Sequence, residues 1–466
     1  MNITPYECQA CGWVYPTQSD LKSENSEGMV QFSELADDFS CPLCGVGKSE
    51  FRPINEATET ADSEVCQSEP RQIVIIGAGL AGWSVVDAIR ALDKEVAITL
   101  IAADNADRYH KPMLSAAFSQ KKTATDLIRF SGEDAATKAG IDLLANSTVL
   151  AIDSDNRKVL LNEAELSYDK LVMAIGATPA IPPTIDAQNV WHINHIEGFN
   201  SIEQVLSNSN DSKHIAVIGG GMVGTEIAED LTKAGHKVSL LDMQHTPLAL
   251  MLPEVAGNKI KQALIAQGIN FMGNSRVDGV DALPIGGYQM TVTDCDTGGE
   301  HKLEVDHILV STGLKVEEAL PQSAQLEFDR FSGISVQEAT LQTSNPDIYA
   351  IGDCMSIAGV PCRYVAPLRA QASTITEHIL AQLGRKHPKQ ADEAYEHQAY
   401  VHKPPMIRLK NKSISVSATG TPTANEQFAK WQVVTDTETE VGHELVLQQV
   451  TAEGEVVATA TVKSVK

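Results

Sequence analysis

Four cysteines stand in two Cys-x2-Cys pairs, Cys8 with Cys11 and Cys41 with Cys44. Four thiolates at that spacing close a tetrahedron of sulfur around one metal ion, and the ligand type suits iron and zinc equally. Gly12 and Gly45 follow the second cysteine of each pair. Glycine tolerates positive φ, so the chain can fold back there and aim amide N–H groups at the sulfurs. Further along lie two glycine-rich turns, Gly77-Ala78-Gly79-Leu80-Ala81-Gly82 and Gly219-Gly220-Gly221-Met222-Val223-Gly224. Each follows an apolar run and precedes an acid, Asp104 or Asp242, by roughly 20 positions. Such glycines let backbone approach a pyrophosphate at a helix N-terminus, and the acid accepts hydrogen bonds from ribose hydroxyls. Either motif alone is compatible with a simple tight turn; two in the same context point to two dinucleotides. A carboxylate at Asp242 repels a 2′-phosphate, and Met243, Gln244 and His245 supply no arginine, so this site is predicted to prefer NADH to NADPH. A metal centre and two nucleotides on one chain describe a short electron-transfer line.

The elements that must hold these residues are readable around them. Ile73–Ile76 reads as a buried strand, followed by the first glycine turn, a helix to about Leu92 and a strand over Val96–Ile101. Asp104 lies just past that strand. The pattern repeats at Ile215–Ile218, a second helix and Val238–Leu241. The spacing predicts an α/β protein with two doubly wound, Rossmann-like domains, one inserted in the other. The predicted boundaries are a four-cysteine metal domain at 1–54 and an acidic linker at 55–70. The first nucleotide domain takes 71–184 and 309–376, the second 185–308, and a β-rich C-terminal domain 377–466. Stretches such as Glu444–Leu447 and Val456–Thr459 carry that last assignment, and no motif there points to chemistry. A front domain this small needs a staple such as a metal. Its linker spans roughly 20–25 Å as flexible coil, and the local concentration it imposes is on the order of millimolar.

Composition narrows the function classes. The chain has 466 residues, 43% of them hydrophobic, and a net charge of −25. That charge argues against nucleic acid and anionic membranes as partners. No run is long and apolar enough for a membrane span, and Met-Asn-Ile-Thr-Pro-Tyr-Glu at the start has neither the basic region nor the apolar core of a signal peptide. The expectation is a soluble, cytoplasmic protein. Beyond the quartet, Cys66, Cys295, Cys354 and Cys362 show no disulfide framework, which fits a reducing compartment. His192 and His195 lack the further partners a metal site requires and read as surface loop. Cys354 reads as a small buried residue.

Cys8-Gln-Ala-Cys11-Gly-Trp-Val-Tyr15 and Asp37-Asp38-Phe39-Ser40-Cys41-Pro42-Leu43-Cys44-Gly45 resemble the rubredoxin family, as does the interval between the pairs. The resemblance covers nearly all of residues 5–53. It implies one iron held by Cys8, Cys11, Cys41 and Cys44, and single-electron transfer. Tyr6, Trp13, Tyr15, Phe32, Phe39 and Phe51 would form the small aromatic core. Two departures bear on packing: the loop Leu21–Gly28 lacks the family's Pro- and Asp-rich turn, and Phe39 stands where tryptophan is usual. A zinc ribbon that binds protein is the alternative for this domain.

Residues 71–375 resemble the two-dinucleotide flavoproteins that include rubredoxin and ferredoxin reductases. The matching segments are Ala174-Ile175-Gly176-Ala177-Thr178-Pro179, Ser311-Thr312-Gly313 and Asn345-Pro-Asp-Ile-Tyr-Ala-Ile-Gly352-Asp353-Cys354. The resemblance implies FAD on the first fingerprint, with Asp353 on its ribityl chain, and NADH on the second. An aspartate there can also cap a helix. Tyr109-His110-Lys111-Pro112-Met113-Leu114-Ser115 is similar to the Lys/Arg-Pro-x-Leu-Ser segment that these reductases set against the isoalloxazine. Lys111 would stabilise reduced flavin by charge. Glu226 matches a family glutamate near the nicotinamide and is placed opposite Lys111; the alternative is a carboxylate favoured in the first turn of a helix. Val365, within Tyr364–Leu368, is carried to the flavin by the same likeness. No cysteine lies between Cys66 and Cys295, which disfavours thiol chemistry beside the flavin. The combined expectation is an NADH:rubredoxin reductase fused to its own rubredoxin, with a downstream alkane hydroxylase-like oxygenase or flavodiiron protein. The alternatives are an NADH-dependent ferredoxin-type reductase with a separate carrier, an NADH oxidase, and a redox-sensing flavoprotein with a zinc-ribbon module. The oligomeric state is not legible.

Overall fold

The computed structural model describes residues 6–8, 14–15, 31–36, 39, 41, 47–53, 72–162, 164–208, 211–385, 399–404, 406–422, 427–439 and 442–465. Cys11, Trp13, Cys44, Cys66, the 21–28 loop and the 55–70 linker named above lie outside these residues.

In the N-terminal segment, Tyr6–Cys8 is the central strand of a three-stranded antiparallel sheet between Val14–Tyr15 and Phe51–Pro53. Its apolar side is aromatic. Phe32 stacks on Tyr6 at 4.4 Å between ring centroids and meets Phe51 at 4.8 Å and Phe39 at 5.7 Å. So small a core has little aliphatic surface to bury, and large rings supply most of the apolar area.

Two compact units follow from the way the chain packs. The first comprises 1–110, 130–176 and 316–403; the second comprises 111–129, 177–315 and 404–466. The first is built on a five-stranded parallel sheet in the order Ile348–Ala350, Lys170–Met173, Gln72–Ile76, Ala97–Ile101, Asp142–Leu144. Ile73, Val74 and Ile75 are wholly buried, as a strand without polar alternation must be when both faces are covered. Helices Leu80–Leu92 and Leu368–Gln382 pack against each other in this unit.

The second unit holds a four-stranded parallel sheet in the order Asn270–Met272, Lys237–Leu241, His214–Ile218, His307–Val310. Its helix after the glycine turn is Met222–Lys233. The C-terminal part is a five-stranded antiparallel sheet in the order Ile407–Arg408, Ile414–Gly420, Val456–Val465, Gly442–Thr451, Ala429–Thr439. The strand–turn–helix–strand repeat and the β-rich terminus expected from the sequence are both present. No helix among the described residues is long and apolar enough to cross a membrane.

Candidate functional site: two nucleotide cradles, a thiol centre and a carboxylate hub

The two glycine turns are held by the same bonds. In the first unit Gly77 N–H donates to Ile101 O at 2.8 Å, and Ala174 N–H to Ile76 O at 2.8 Å. In the second, Gly219 N–H donates to Leu241 O and Ser311 N–H to Ile218 O, both at 2.8 Å. The first glycines turn at φ +103° and +108°, and a Cβ there would lie 2.3 Å from Ala174 O or 2.6 Å from Ser311 O. A Cβ on Gly82 or Gly224 would lie 1.9 Å from the carbonyl oxygen of Gly77 or Gly219. Glycine at these positions is demanded by the fold.

Gly79 and Gly221 differ. Both are helix N-caps with extended backbone, φ −74° and −70°, and neither helix has a side-chain cap. An added Cβ would meet no protein atom within 4 Å at either one. Protein sterics do not ask for glycine here. Bare backbone before an uncapped helix N-terminus is what a pyrophosphate lying against the amides requires, so both turns fit a dinucleotide.

The residues grouped with each turn fall on two sites. In the first unit Gly352, at φ +75°, would bring a Cβ to 3.0 Å from the Ala81 side chain, so the Gly352–Cys354 turn lies beside the helix opened by Leu80 and Ala81. Asp353 sits within this 3-10 turn and is not its N-cap, which is Ile351. Gly176 turns at φ +66° after Ala174. Val365 O accepts from Leu368 N–H at 3.0 Å at the start of helix Leu368–Gln382. In the second unit Met222 and Val223 open the helix, with Val223 exposed. Thr312 Oγ1 donates to Ala180 O at 2.6 Å, and Ala180 N–H to Gly313 O at 2.9 Å, which ties Thr312 and Gly313 to the residue after Pro179.

The two acids are not equivalent. Asp242 directly follows strand Lys237–Leu241 and bonds Gly220 N–H through Oδ2, while Oδ1 accepts from Gln244 N–H at 2.7 Å. Its carboxylate is fixed beside the glycine turn. The residue that directly follows Ala97–Ile101 is Ala102; Asp104 lies two positions later, and its Oδ1 accepts from Ala106 N–H at 2.8 Å within a local turn.

At the front of the chain, Cys8 and Cys41 are buried in the aromatic core with Phe32 and Phe51, at 1% and 2% exposure. Cys8 stands opposite Phe51 in the sheet. Two buried thiols from separate Cys-x2-Cys pairs, brought to one small core, fit an all-sulfur tetrahedral site. Among the described residues no group of three or more metal-binding side chains occurs.

Helix Met222–Lys233 carries an arrangement the sequence did not disclose. Glu226, Glu229 and Asp230 are all buried. Glu226 Oε2 accepts from Ser115 Oγ at 2.6 Å and from Lys410 Nζ at 2.6 Å, and Oε1 accepts from Lys410 N–H at 3.0 Å. Lys410 Nζ also reaches Ser115 Oγ at 2.9 Å. The cation on Glu226 is therefore Lys410, where the sequence had set Lys111 opposite it. Glu229 accepts from Lys233, Ser413 Oγ, Asn411 Nδ2 at 2.7 Å and Lys412 N–H at 2.8 Å. Burial pushes Glu229 toward its neutral form, but these donors together hold it below the usual carboxylate range. Asp230 accepts from Phe118 N–H at 2.8 Å and from Ser119 Oγ. There burial outweighs the donors, and the Asp230 carboxyl lies above its ordinary value.

Lys111 and Pro112 begin the 3-10 segment Lys111–Ala116, and Ser115 Oγ lies 3.3 Å from Pro112 O. Lys410 and Ser115 were missed as site residues. No spacing links position 410 to 226, and Lys410 stands in a region without a motif. His195 is the N-cap of Ile196–Ser207, its Nδ1 accepting from Glu197 N–H at 3.3 Å. Cys354 is fully buried, donates to Met173 O and Ile351 O at 3.3 Å, and burial pushes its thiol up to about 12.

Two parallel-sheet nucleotide cradles on one chain define the class as a two-nucleotide oxidoreductase. Residues 71–397 match the pyridine nucleotide-disulphide oxidoreductase family, and residues 5–51 match rubredoxin. The chain belongs to the pyridine nucleotide-disulphide oxidoreductase family and carries a rubredoxin domain ahead of it. It is 34% identical over 310 residues to a protein of Citrobacter koseri named nitric oxide reductase FlRd-NAD(+) reductase, covering 66% of this chain and 79% of that one. The fold is similar to putidaredoxin reductase in its covalent complex with putidaredoxin, with TM-score 0.69, 24% identity, and 84% and 89% of the two chains covered. It is likewise similar to NADH:rubredoxin oxidoreductase from Clostridium acetobutylicum, with TM-score 0.64, 23% identity, and 84% and 91% covered.

Proposed function

We propose that this oxidoreductase takes electrons from NADH through FAD to a tetrathiolate iron on its own N-terminal domain, and from there to a separate redox protein. The observation that carries the reading is the presence, on one chain, of a rubredoxin segment with two buried cysteines ahead of two dinucleotide cradles. When bound, NADH and FAD supply hydride chemistry and the change from paired to single electrons, and the iron carries single electrons. The chain's own residues bind and orient. Gly77, Gly79, Gly82, Gly352 and Asp353 serve the FAD, with Asp104 on its ribose side. Gly219, Gly221, Gly224 and Asp242 serve NADH, and the Asp242 charge disfavours NADPH. Lys111 offers positive charge to reduced flavin, and Glu226 a carboxylate on the nicotinamide side. Cys8, Cys11, Cys41 and Cys44 hold the iron.

Several relatives carry the nitric oxide reductase FlRd-NAD(+) reductase name, which favours a flavodiiron-type acceptor over an oxygenase downstream. The reading places the chain in the cytoplasm, with its NADH. Metal analysis and the anaerobic visible spectrum test it. About one iron per chain is expected, with flavin and ferric-thiolate bands both bleaching on a small excess of NADH. Zinc in the site, or an iron band that stays oxidised while the flavin bleaches, overturns the internal line.

A further inference from the structure

We propose that Lys410, in the connection between strands Ile407–Arg408 and Ile414–Gly420, is a positioning residue for the NADH half-reaction, acting through Glu226 and Ser115 on segment 111–119. The inference rests on the proposed reductase function and extends it to a part of the chain with no assigned chemistry. All the groups involved belong to the second compact unit.

The argument is one of shared partners. Glu226 lies two residues after Gly224, the last glycine of the second cradle, and its side chain is 3% exposed. A buried carboxylate is tolerated when a cation and hydrogen bonds satisfy it. Glu226 takes both of its bonds at Oε2 from elements distant in sequence, Ser115 and Lys410, and Lys410 adds its own backbone N–H at Oε1. The 2.9 Å contact between Lys410 Nζ and Ser115 Oγ closes a three-membered ring. Ser115 belongs to the same six-residue 3-10 segment as Lys111 and Pro112. The orientation of that segment is thus tied to one ammonium group from the connection between strands Ile407–Arg408 and Ile414–Gly420. Glu229 and Asp230 repeat the pattern a turn further along, Glu229 on Asn411–Ser413 and Asp230 on Phe118–Ser119. Glu226 is the carboxylate that both segments share. Loss of the cation leaves a buried carboxylate with one donor fewer and frees the Ser115 hydroxyl to turn away.

The test uses the full-length, flavin-loaded protein and the variants Lys410→Met, Lys410→Arg and Ser115→Ala. Hydrogen exchange without NADH is read first. Lys410→Met should accelerate exchange across 113–119 by about tenfold or more, leaving helix Glu254–Ala266 at its wild-type rate. In anaerobic stopped flow, the same variant should slow flavin bleaching at saturating NADH by about tenfold, with the NADH concentration dependence changed less than about threefold. Lys410→Arg should recover most of both, since a guanidinium still reaches the carboxylate. Ser115→Ala keeps the Lys410–Glu226 pair and should loosen 113–119 alone, so a poorly folding Lys410→Met does not end the test. Wild-type exchange across 113–119 in both Lys410→Met and Ser115→Ala would overturn the proposal. So would lowered thermal stability with an unchanged bleaching rate. A wild-type protein whose flavin ignores NADH removes the reductase reading instead, and the exchange data still decide whether Lys410 positions the segment.

Discussion

Asp242 is committed before any nucleotide arrives. One oxygen holds Gly220 N–H and the other Gln244 N–H, and a Cβ on Gly220 would lie 2.9 Å from that carboxylate. The side chain therefore shapes the turn as well as presenting charge to it. Asp242→Asn keeps an acceptor and removes the charge. It should lower the preference for NADH over NADPH in kcat/KM by about tenfold, roughly 1.4 kcal/mol, and cost about 1 kcal/mol of stability because its NH2 faces one of the two amide donors. Asp242→Ala also orphans two amides and should cost about 1–2 kcal/mol in thermal unfolding. An unchanged coenzyme ratio in the asparagine variant would remove the electrostatic argument. The thiols divide just as cleanly. Burial pushes Cys354 up to about 12 and Cys362 up to about 11, whereas Cys295 is exposed. Native alkylation at neutral pH followed by peptide mapping should modify Cys295 and spare the other two, because the thiolate is the reacting form.

At the scale of elements, helix Met222–Lys233 is the part whose role the sequence conceals. Its glycine turn was legible because strand, turn and acid recur at fixed spacing. So were the strands around it, whose apolar runs admit no other placement. Of its three acids, Glu226 was marked only through the family resemblance, and nothing in the sequence marked Glu229 or Asp230. What they bind, at 115–119 and 410–413, comes from chain segments about 110 and 180 residues away, and hydrophobic periodicity carries no information on such pairings. Asp104 was selected by spacing alone; the residue directly after its strand is Ala102, and one Asp104 oxygen accepts from Ala106 N–H at 2.8 Å. Glu229 offers a test at this scale. Its folded-state value is depressed by Lys233, Ser413, Asn411 and Lys412 against the opposing effect of burial. A depressed carboxylate contributes stability that is complete above the unfolded value of about 4.3 and is lost as pH falls through the lower folded value. The midpoint of thermal unfolding should accordingly fall below about pH 4, and Glu229→Gln should be less stable at pH 7 by roughly 3 kcal/mol with a shallower acid limb. Parallel acid limbs in the two proteins would show that the stabilisation lies elsewhere.

At the scale of the whole molecule, the order of the electron line is separable from its components. The cysteines proposed to hold iron and the nucleotide cradles share no residue: Cys8, Cys11, Cys41 and Cys44 all precede position 45, and the first glycine turn begins at Gly77. The buried core around Cys8 and Cys41 is aromatic and small, so its folding leans on the metal. The cradles rest on parallel sheets with cores of their own. Replacing Cys41 and Cys44 by serine should then abolish iron binding and melt the N-terminal segment alone. Two observables check it in the same sample: the ferric-thiolate band should be absent, while flavin bleaching by NADH should keep its wild-type rate. A folded variant that binds flavin but no longer bleaches would mean that the front domain acts before the flavin or helps to build its site. If the order holds and residues 55–70 act as the linker expected from the sequence, iron-band bleaching in the wild type should also keep the same first-order rate from about 1 to 50 µM protein, because a local concentration on the order of millimolar would make bulk dilution irrelevant. A rate that rises with protein concentration would assign the transfer to encounters between separate molecules.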